Sequence, residues 1–386
     1  MTIPSPFTRL RRLLDGVSPP ADVDPIALHL GEVQPGNPPF DTAPLADPKG
    51  WSRYPMPGGT PELRAAYSQW LERRFGVRVG LRDGLIAIEP TPGTKQAVAT
   101  IIALAVRRAD TATPAVMLPS PFYPTYLAAV EAAGAHPVWY GQHPPGVLRP
   151  GGGRVAAIVV CNPGLRGDLP SADELVAVSD VARASGALLV IDECYVDLWQ
   201  ELVPVGFLSL ADKGIITAGA FAVLHSLSKR SAAPGLRSGF LAGDAGTVAA
   251  YAHVNRSCGV STPGPICAVA AALWSDEAHV AELRSRIAKN WALADEILGG
   301  IPSYRRAEAG FFLWLPVPDD EKTALELWQH HGIRVMPGRY LAAPDRADVS
   351  PGLGFVRIAL GHNEDTMREG LGRLRAALTI REASSA

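Results

Sequence analysis

Short apolar runs alternate with stretches of helical periodicity through the middle of the chain. The runs are rich in Val, Ile and Leu, which is typical of strands buried on both faces of a parallel sheet. Strands are predicted at residues 85–88, 115–118, 155–160, 187–191 and 221–225. Helices are predicted between them at 93–106, 123–133 and 171–184, and the last begins with the capping-box pair Ser171 and Glu174. This alternation predicts an α/β fold with a mainly parallel central sheet covered by helices on both faces.

The pattern changes beyond about residue 276. A long helix through Leu298 precedes strand-like runs at 311–315 and 355–360, with a helix near 323–331 between them. This order predicts a smaller α+β domain. The proline-rich N-terminal segment has too little periodic structure to form a domain alone. The predicted division is therefore residues 1–40 joining the small domain, 41–280 as the large domain and 281–386 as the small C-terminal domain.

Composition and charge argue against several classes of function. The 386 residues are 47% apolar and 19% charged with a net charge of −2, which is typical of a globular protein without a nucleic-acid-binding surface. No apolar run approaches the roughly 20 residues needed to cross a bilayer, and the nine histidines lack the spacing of a metal site. The four cysteines form no CxxC pair, and the N-terminus lacks the apolar stretch of a signal peptide. We therefore expect a cytoplasmic protein that binds neither metal nor membrane.

The segment HSLSKRS at residues 225–231 is the most specific chemical signal. It places Lys229 directly after a predicted buried strand, among hydroxyl groups and close to Arg237. Burial and neighbouring cations lower the pKa of a lysine and can make it a nucleophilic amine. Arg237 could hold a phosphate group through two parallel hydrogen bonds. The alternative is a surface loop of serine, lysine and arginine.

An acidic residue, Asp192, ends another predicted strand within the sequence VIDECY. An isolated charge at the end of an apolar strand is costly unless it is paired. A pyridinium nitrogen would be a suitable partner, because the carboxylate would keep it protonated and electron-withdrawing. Tyr195, further along the same segment, could hydrogen-bond the phenolic oxygen of such a ring. The alternative is an aspartate that caps a helix beside a packed tyrosine.

Two further segments follow predicted strands. The sequence TPGTK opens a helix, so its backbone N–H groups and the helix dipole form a natural phosphate site around Gly93, Thr94 and Lys95. The sequence PFYPTY presents Tyr123, whose ring could stack on a planar cofactor. Core packing explains such a ring equally well, and a lone glycine turn is by itself a weak signal.

Taken together, these segments resemble the class I/II aminotransferases, which belong to fold type I of the enzymes that depend on pyridoxal 5'-phosphate (PLP). The resemblance covers about residues 28–375 and depends on the order and spacing of several motifs. The phrases DECY, HSLSKRS, PGLRSGF, LAGDA and PGRYLA are most similar to those of bacterial succinyldiaminopimelate aminotransferases. The residues that carry the resemblance are Tyr54 with Gly58 and Gly59, Gly93, Thr94, Lys95, Tyr123, Asp192, Tyr195, Ser226, Ser228, Lys229, Arg237 and Arg357.

The resemblance implies transfer of an amino group between an α-amino acid and an α-keto acid, with PLP held as a Schiff base on Lys229. It implies that Asp192 contacts the pyridine nitrogen and that Tyr195 contacts the phenolic oxygen. Tyr123 would stack on the ring. The implied phosphate contacts are Gly93, Thr94, Lys95, Ser226, Ser228, Arg237 and, from the partner subunit of a homodimer, a tyrosine at the position of Tyr54.

At the substrate end, the resemblance implies that Arg357 clamps the α-carboxylate with help from the backbone of Gly31. The alternative for Arg357 is a strand-edge residue in a surface ion pair. The family usually has an NPTG motif whose asparagine contacts the phenolic oxygen of the cofactor, but this chain reads CNPGLRG from residue 161. Asn162 is expected to bind the cofactor in its place if the loop is re-routed.

This departure favours a relative recruited to specialised biosynthesis of a nonstandard amino acid over a housekeeping succinyldiaminopimelate aminotransferase. Other PLP chemistry on the same scaffold stays open, including elimination, replacement, decarboxylation and cyclisation, because function belongs to the site and not to the scaffold. A non-catalytic binding protein that keeps the fold is the remaining alternative. The absorbance of bound cofactor, and its response to amino and keto acids, distinguishes these readings.

Overall fold

A computed structural model gives the fold of the chain. It describes residues 4–33, 40–80, 86–141, 143–145, 154–217, 219–301, 303–343 and 352–384. The first residue of the strand expected at 85–88 lies outside these ranges.

The helices and strands are numbered in chain order. The strands are β1 Ile26–Ala27, β2 Ala87–Thr91, β3 Ala115–Pro119, β4 His136–Tyr140, β5 Val155–Cys161, β6 Leu188–Asp192, β7 Phe221–Ser226, β8 Gly239–Gly243, β9 Phe312–Pro316, β10 Ile333–Arg334, β11 Met336–Pro337 and β12 Phe355–Ala359. The α-helices are α1 Pro6–Leu13, α2 Pro61–Phe75, α3 Thr94–Ala109, α4 Pro124–Ala132, α5 Ala172–Ser185, α6 Phe207–Asp212, α7 Leu227–Arg230, α8 Ala245–Ser257, α9 Gly264–Ser275, α10 Ala278–Leu298, α11 Asp320–His331 and α12 Glu364–Ser384.

A seven-stranded sheet forms the centre of the larger part of the molecule, in the order β2-β8-β7-β6-β5-β3-β4. Its strands are parallel except for β8, which pairs antiparallel with both β2 and β7. The predicted α/β fold with a mainly parallel sheet is confirmed. The capping box of Ser171 and Glu174 is present at the start of α5.

The apolar pattern alone does not predict β8, because the sequence GFLAG begins and ends with glycine. A Cβ atom at Gly239 would lie 2.5 Å from the carbonyl oxygen of His225, and one at Gly243 would lie 2.3 Å from that of Phe221. Glycine is therefore required where β8 runs against β7. The edge strand β4 was also not predicted.

Side chains on the central strands alternate between two apolar cores. Val190 and Leu224 belong to the core packed by α3, α4 and α8. Ile191 and Val223 belong to the core packed by α2, α5, α6 and α9. Helices therefore cover both faces of the sheet, and the carboxyl ends of β5, β6 and β7 lie side by side.

A third apolar core joins the N-terminal segment to the C-terminal part of the chain. Leu10 and Leu28 pack there with residues of α10, β9, α11, β12 and α12. The strand β1 pairs in parallel with β10, while β12 lies antiparallel between β11 and β9. The elements expected beyond residue 276 correspond to α10, β9, α11 and β12.

Where the structure describes the chain, none of its helices combines the length and the apolar character needed to cross a membrane. The same ranges contain no group of three or more His, Cys, Asp or Glu side chains that could hold a metal ion.

Candidate active site

A cavity of about 480 Å³ opens at the carboxyl ends of β6 and β7, between the large sheet and the core shared by the two ends of the chain. Gly93 lies directly before the cavity residue Thr94, whereas Asn162 and Tyr54 do not line the cavity. The predicted residues that line it are Gly31, Thr94, Lys95, Tyr123, Asp192, Tyr195, Ser226, Ser228, Lys229, Arg237 and Arg357.

The short helix α7, which begins directly after β7, presents Lys229 to the cavity. The hydroxyl of Ser226 caps this helix by accepting a hydrogen bond from the backbone N–H of Ser228 at 3.1 Å. The Nζ atom of Lys229 donates a hydrogen bond to the carbonyl oxygen of Gly31. Burial, reinforced by the cation of Arg357, lowers the pKa of Lys229 to about 8, although neighbouring acidic groups oppose this shift. A substantial fraction of this amine is therefore neutral near neutral pH, as a nucleophile requires.

Asp192 is the last residue of β6, and its carboxylate is held from two sides. The hydroxyl of Tyr126 donates to Oδ2 at 2.5 Å, and the backbone N–H of Cys194 donates to Oδ1 at 3.1 Å. Burial, followed by the charge of Asp192, raises the pKa of Tyr126 well above its usual value, so this hydroxyl remains a proton donor. Tyr126 was not predicted as a site residue. The available signal was its position one helical turn after Tyr123.

The hydroxyl groups of two tyrosines in the cavity keep their protons. The ring centroid of Tyr195 lies 5.7 Å from the Nζ atom of Lys229, and burial raises the pKa of Tyr195. Burial also raises the pKa of Tyr123, whose ring packs edge-on against Tyr126 with 5.6 Å between centroids. Both phenols can therefore donate a hydrogen bond.

Two loops approach each other closely at Gly93 and Arg237, where the phosphate site was predicted. Gly93 has a φ of +94°, and a Cβ atom there would lie 2.0 Å from Nη2 of Arg237. The backbone conformation therefore favours glycine, and a larger side chain would also displace the guanidinium of Arg237. The helix α3 begins at Thr94 without a side-chain cap, so its first turn presents backbone N–H groups to the part of the cavity that Thr94 and Lys95 line.

Arg357 lies in β12, paired with Trp314 of β9 and Met336 of β11, and is 7% exposed. Its Nη2 atom donates to the carbonyl oxygen of His29 at 2.9 Å, and its guanidinium lies 4.2 Å from the ring centroid of Phe312. None of the ion pairs between described residues involves Arg357, and its buried Nε atom has no hydrogen-bond partner there. Burial lowers the pKa of Arg357 to about 10. The cation is therefore buried, charged near neutral pH and without an anion in the part of the chain that the structure describes.

Two predicted residues do not line this cavity. Asn162 is fully buried, and its Nδ2 atom donates to Oε1 of Glu193 at 3.0 Å and to the carbonyl oxygen of Val205 at 2.7 Å. Both amide hydrogens are used on these partners, so the predicted cofactor contact of Asn162 would fall to its Oδ1 atom, which is buried and has no hydrogen-bond partner among the described residues. Tyr54 lies outside the cavity of its own chain, and its side chain is fully exposed.

Besides Glu32, Tyr126 and Cys194, the remaining wall of the cavity has several large apolar side chains that were not predicted. These side chains are Phe7, Leu30, Leu165, Phe312 and Leu341. These residues come from segments far apart in the sequence, where the apolar pattern indicates only core packing.

Comparison with known proteins agrees with this geometry. Residues 36–374 match the family model described as aminotransferase class I and II. The chain therefore belongs to the class I and II aminotransferases and is a PLP-dependent enzyme, and the predicted family and cofactor are confirmed.

Several relatives are similar over most of their length. The chain is 32% identical over 352 residues to the 4-dedimethylamino-4-oxo-anhydrotetracycline transaminase OxyQ of Streptomyces rimosus, covering 90% of this chain and 92% of that protein. It is 26% identical to the probable N-succinyldiaminopimelate aminotransferase DapC of Mycobacterium tuberculosis, covering 84% and 85% of the two chains. The crystal structure of an aminotransferase from Neisseria meningitidis Z2491 has 30% sequence identity and a TM-score of 0.88, covering 98% of each chain.

Proposed function

We propose that this aminotransferase acts in a specialised biosynthetic route, on an amino acid and keto acid pair whose side chain is largely apolar. The main support for binding of a substrate α-carboxylate is the environment of Arg357. This residue is a buried cation with no anion among the residues that the structure describes, and it lines the same cavity as Lys229. A substrate α-carboxylate would supply the missing charge through charge-assisted hydrogen bonds.

The residues of the cavity fit PLP. Lys229 offers an amine with a lowered pKa, and Asp192 offers a carboxylate held in place by Tyr126. The glycine at position 93 leaves room beside the guanidinium of Arg237, as a phosphate cradle requires. When bound, PLP supplies an electron sink that stabilises negative charge at the α-carbon of the substrate.

Each predicted contact has a proposed role. Lys229 would hold the cofactor covalently, Asp192 would hold its pyridine nitrogen, and Tyr195 would hold its phenolic oxygen. Tyr123 would stack on the ring. The phosphate would be held by Gly93, Thr94, Lys95, Ser226, Ser228 and Arg237.

Lys229 also has the properties of the group that moves the substrate proton. A general base works best when its pKa lies near the operating pH, and burial lowers the pKa of Lys229 to about 8. In this structure its Nζ atom is held by the carbonyl oxygen of Gly31, next to the place where Arg357 would hold the carboxylate. The amine would therefore lie within reach of the α-proton.

The apolar wall supports an apolar or aromatic substrate side chain. The cations that line the cavity besides Arg357 are Lys95, Lys229 and Arg237, and all three belong to the proposed cofactor contacts. Among the described residues, a second substrate carboxylate would therefore find apolar side chains and the acidic Glu32. OxyQ, whose name describes a transaminase of a polycyclic ketone, adds support for a specialised substrate.

Absorbance of the purified holoenzyme tests this proposal. Amino acids with aromatic, aliphatic, cationic and dicarboxylic side chains are added singly, and a keto acid follows each one. We expect an amino donor to bleach the visible band of the cofactor and a keto acid to restore it, since the two halves of transamination occur in turn.

The rate of recovery with different keto acids then distinguishes the proposed function from its alternatives. Faster recovery with apolar or aromatic keto acids than with a succinylated dicarboxylic one supports the proposal. The reverse order would identify a housekeeping succinyldiaminopimelate aminotransferase. Release of an elimination or decarboxylation product without recovery by keto acids would overturn transamination.

We also propose a homodimer in which Tyr54 contacts the cofactor phosphate of the other subunit. The support is the full exposure of Tyr54 beside the exposed apolar side chains of Trp51 and Met56, because exposed apolar patches often mark association surfaces. A solution mass equal to one chain would contradict this proposal.

The domain division and the location are proposals as well. The cores of the large sheet draw on residues between Leu63 and Trp274, whereas the third core draws mainly on residues up to Val33 and from Leu283 onward, which supports boundaries near residues 40 and 280. Limited proteolysis that cuts elsewhere would contradict those boundaries. The four unpaired cysteines support a reducing, cytoplasmic location, which cell fractionation tests.

A further inference from the structure

A buried chain of hydrogen bonds lies behind the strand ends that present the cofactor site. Tyr67 contacts Nδ1 of His225 through its hydroxyl at 2.7 Å, and Nε2 of His225 contacts Oε2 of Glu193 at 2.9 Å. The other carboxylate oxygen, Oε1, accepts from Nδ2 of Asn162 at 3.0 Å and from the backbone N–H of Phe207 at 2.8 Å. Tyr67, His225, Glu193 and Asn162 are each at most 1% exposed.

The protons of this chain can be assigned by counting donors and acceptors. Burial, followed by the charge of Glu193, raises the pKa of Tyr67 well above its usual value, so its hydroxyl keeps its proton. Among the described residues, His225 Nδ1 is the contact of that hydroxyl, so it accepts the proton of Tyr67. The imidazole then carries its own proton on Nε2 and donates it to Glu193. Glu193 thus receives three hydrogen bonds and has no acceptor for a proton of its own.

His225 lies in β7, and Glu193 and Asn162 directly follow β6 and β5, so each of the three is adjacent in sequence to a residue of the cavity. Glu193 follows Asp192, His225 precedes Ser226, and Asn162 follows Cys161, which also lines the cavity. Successive side chains of a strand point to opposite faces, so His225 lies on the face of β7 opposite to the cavity residue Ser226, and Tyr67 and Glu193 contact it there. The hydrogen bonds to Glu193 therefore fix the spacing of the ends of β5, β6 and β7 from the side opposite to the cavity.

We propose that Glu193 is a positioning residue, which holds Asp192 and Ser226 at the separation that the cofactor requires. This inference rests on the proposed roles of those two residues. With a neutral His225, the partners of Glu193 among the described residues are three hydrogen-bond donors and no cation. A buried carboxylate of this kind is costly for stability alone, since apolar side chains would fill the same volume without desolvating a charge. Its directional bonds to three separate segments instead define one arrangement of the strand ends.

Glu193→Gln tests the proposal with little change in shape. The amide of glutamine must face one of the three donors. If it faces His225, the imidazole proton moves to Nδ1, and the hydroxyl of Tyr67 loses its acceptor. We expect a folded protein whose dissociation constant for PLP rises about tenfold, as for the loss of one hydrogen bond to a charged group.

The absorbance of bound PLP, titrated with pH, gives a second readout that a purely structural role would not change. Removal of a negative charge beside Asp192 lowers the pKa of a nearby protonated nitrogen, so we expect the midpoint to move to lower pH. The matched control is Tyr304→Phe. It removes the hydrogen bond of 2.6 Å that the Tyr304 hydroxyl donates to Oδ1 of Asp295, beside the third core and far from β6 in the sequence. It should leave both readouts unchanged.

Two further variants keep the outcome decisive. If Glu193→Gln does not fold, His225→Leu removes one of the three donors from the other side and is expected to weaken PLP binding likewise. Asp192→Asn separates this inference from the proposed function. The positioning role alone would be overturned by one pair of results. Folded Glu193→Gln would keep the wild-type PLP affinity and the wild-type midpoint of the pH titration, while Asp192→Asn would change both. No change in Asp192→Asn would instead overturn the proposed role of Asp192.

Discussion

The two ends of the cavity differ in how far the protein completes them by itself. At the cofactor end, Asp192 receives two hydrogen bonds and Ser226 caps the helix that carries Lys229. At the substrate end, Arg357 is buried, yet its guanidinium has a backbone carbonyl and an aromatic ring as neighbours and no anion among the described residues.

This difference corresponds to how long the ligand of each end stays bound. A group that stays bound through many turnovers is best held by side chains that are already fixed in place. A substrate that must enter and leave is attracted by a charge that the protein leaves unbalanced. Lys229 lies between the two ends, because its amine contacts the backbone of Gly31 while its helix begins at the cofactor end.

Removal of the lysine amine should have the largest effect, since it disables the group that serves both ends. We expect Lys229→Ala to lower turnover by at least about 1000-fold, the upper range for loss of a positioned acid-base group. The measurement combines turnover with mass spectrometry after chemical reduction, which detects covalently held PLP. Lys213→Ala, at an exposed lysine, is the control and should keep both properties. Covalent PLP retained in the Lys229→Ala protein would place the attachment site elsewhere.

Removal of the substrate-end cation should have the next largest effect and should leave the cofactor end intact. We expect Arg357→Ala to lower kcat/KM for α-carboxylate substrates by about 10- to 100-fold, as for loss of charge-assisted hydrogen bonds. Arg357→Lys should recover part of this loss, because it restores the charge without the bidentate geometry. The dissociation constant for PLP should not change.

An amine substrate that lacks a carboxylate provides the internal control. Its kcat/KM should be the same in the wild-type and Arg357→Ala proteins. A loss equal to that of the carboxylate substrates would mean that Arg357 acts on the fold or on the cofactor and not on the carboxylate.

The two ends also differ in how far the sequence predicts them. The cofactor end comes from strand ends and the turns that follow, so VIDECY, HSLSKRS and TPGTK each show an apolar strand and its polar residue within a few positions. The sheet places these turns side by side. The resemblance of these motifs, in their order along the chain, predicted one site for Asp192, Lys229 and Gly93, and Asp192, Lys229 and the neighbouring Thr94 line one cavity.

The substrate end depends on contacts between distant segments, which local patterns do not encode. Phe7 and Leu341 are ordinary apolar positions in the sequence. Leu341 belongs to the third core, and Phe7 lies in α1, whose residue Leu10 packs into that core. Asn162 shows a related limit. Its motif was visible, but the buried partner Glu193 that takes up its amide could not be predicted from the motif.

The smallest expected effect concerns pH and links the two ends. Attack on the carbonyl carbon of free PLP requires the neutral amine, and burial, reinforced by Arg357, lowers the pKa of Lys229 to about 8. The rate of covalent PLP capture by the apoenzyme should therefore level off above about that pH and fall about tenfold per pH unit below it.

In Arg357→Ala a repelling positive charge is gone, so protonation of Lys229 becomes easier and the midpoint of this pH dependence should move to higher pH. Stopped-flow absorbance across a pH series measures both midpoints, with Lys213→Ala again as control. Equal midpoints in the wild-type and Arg357→Ala proteins would show that the two ends of the cavity are electrostatically independent.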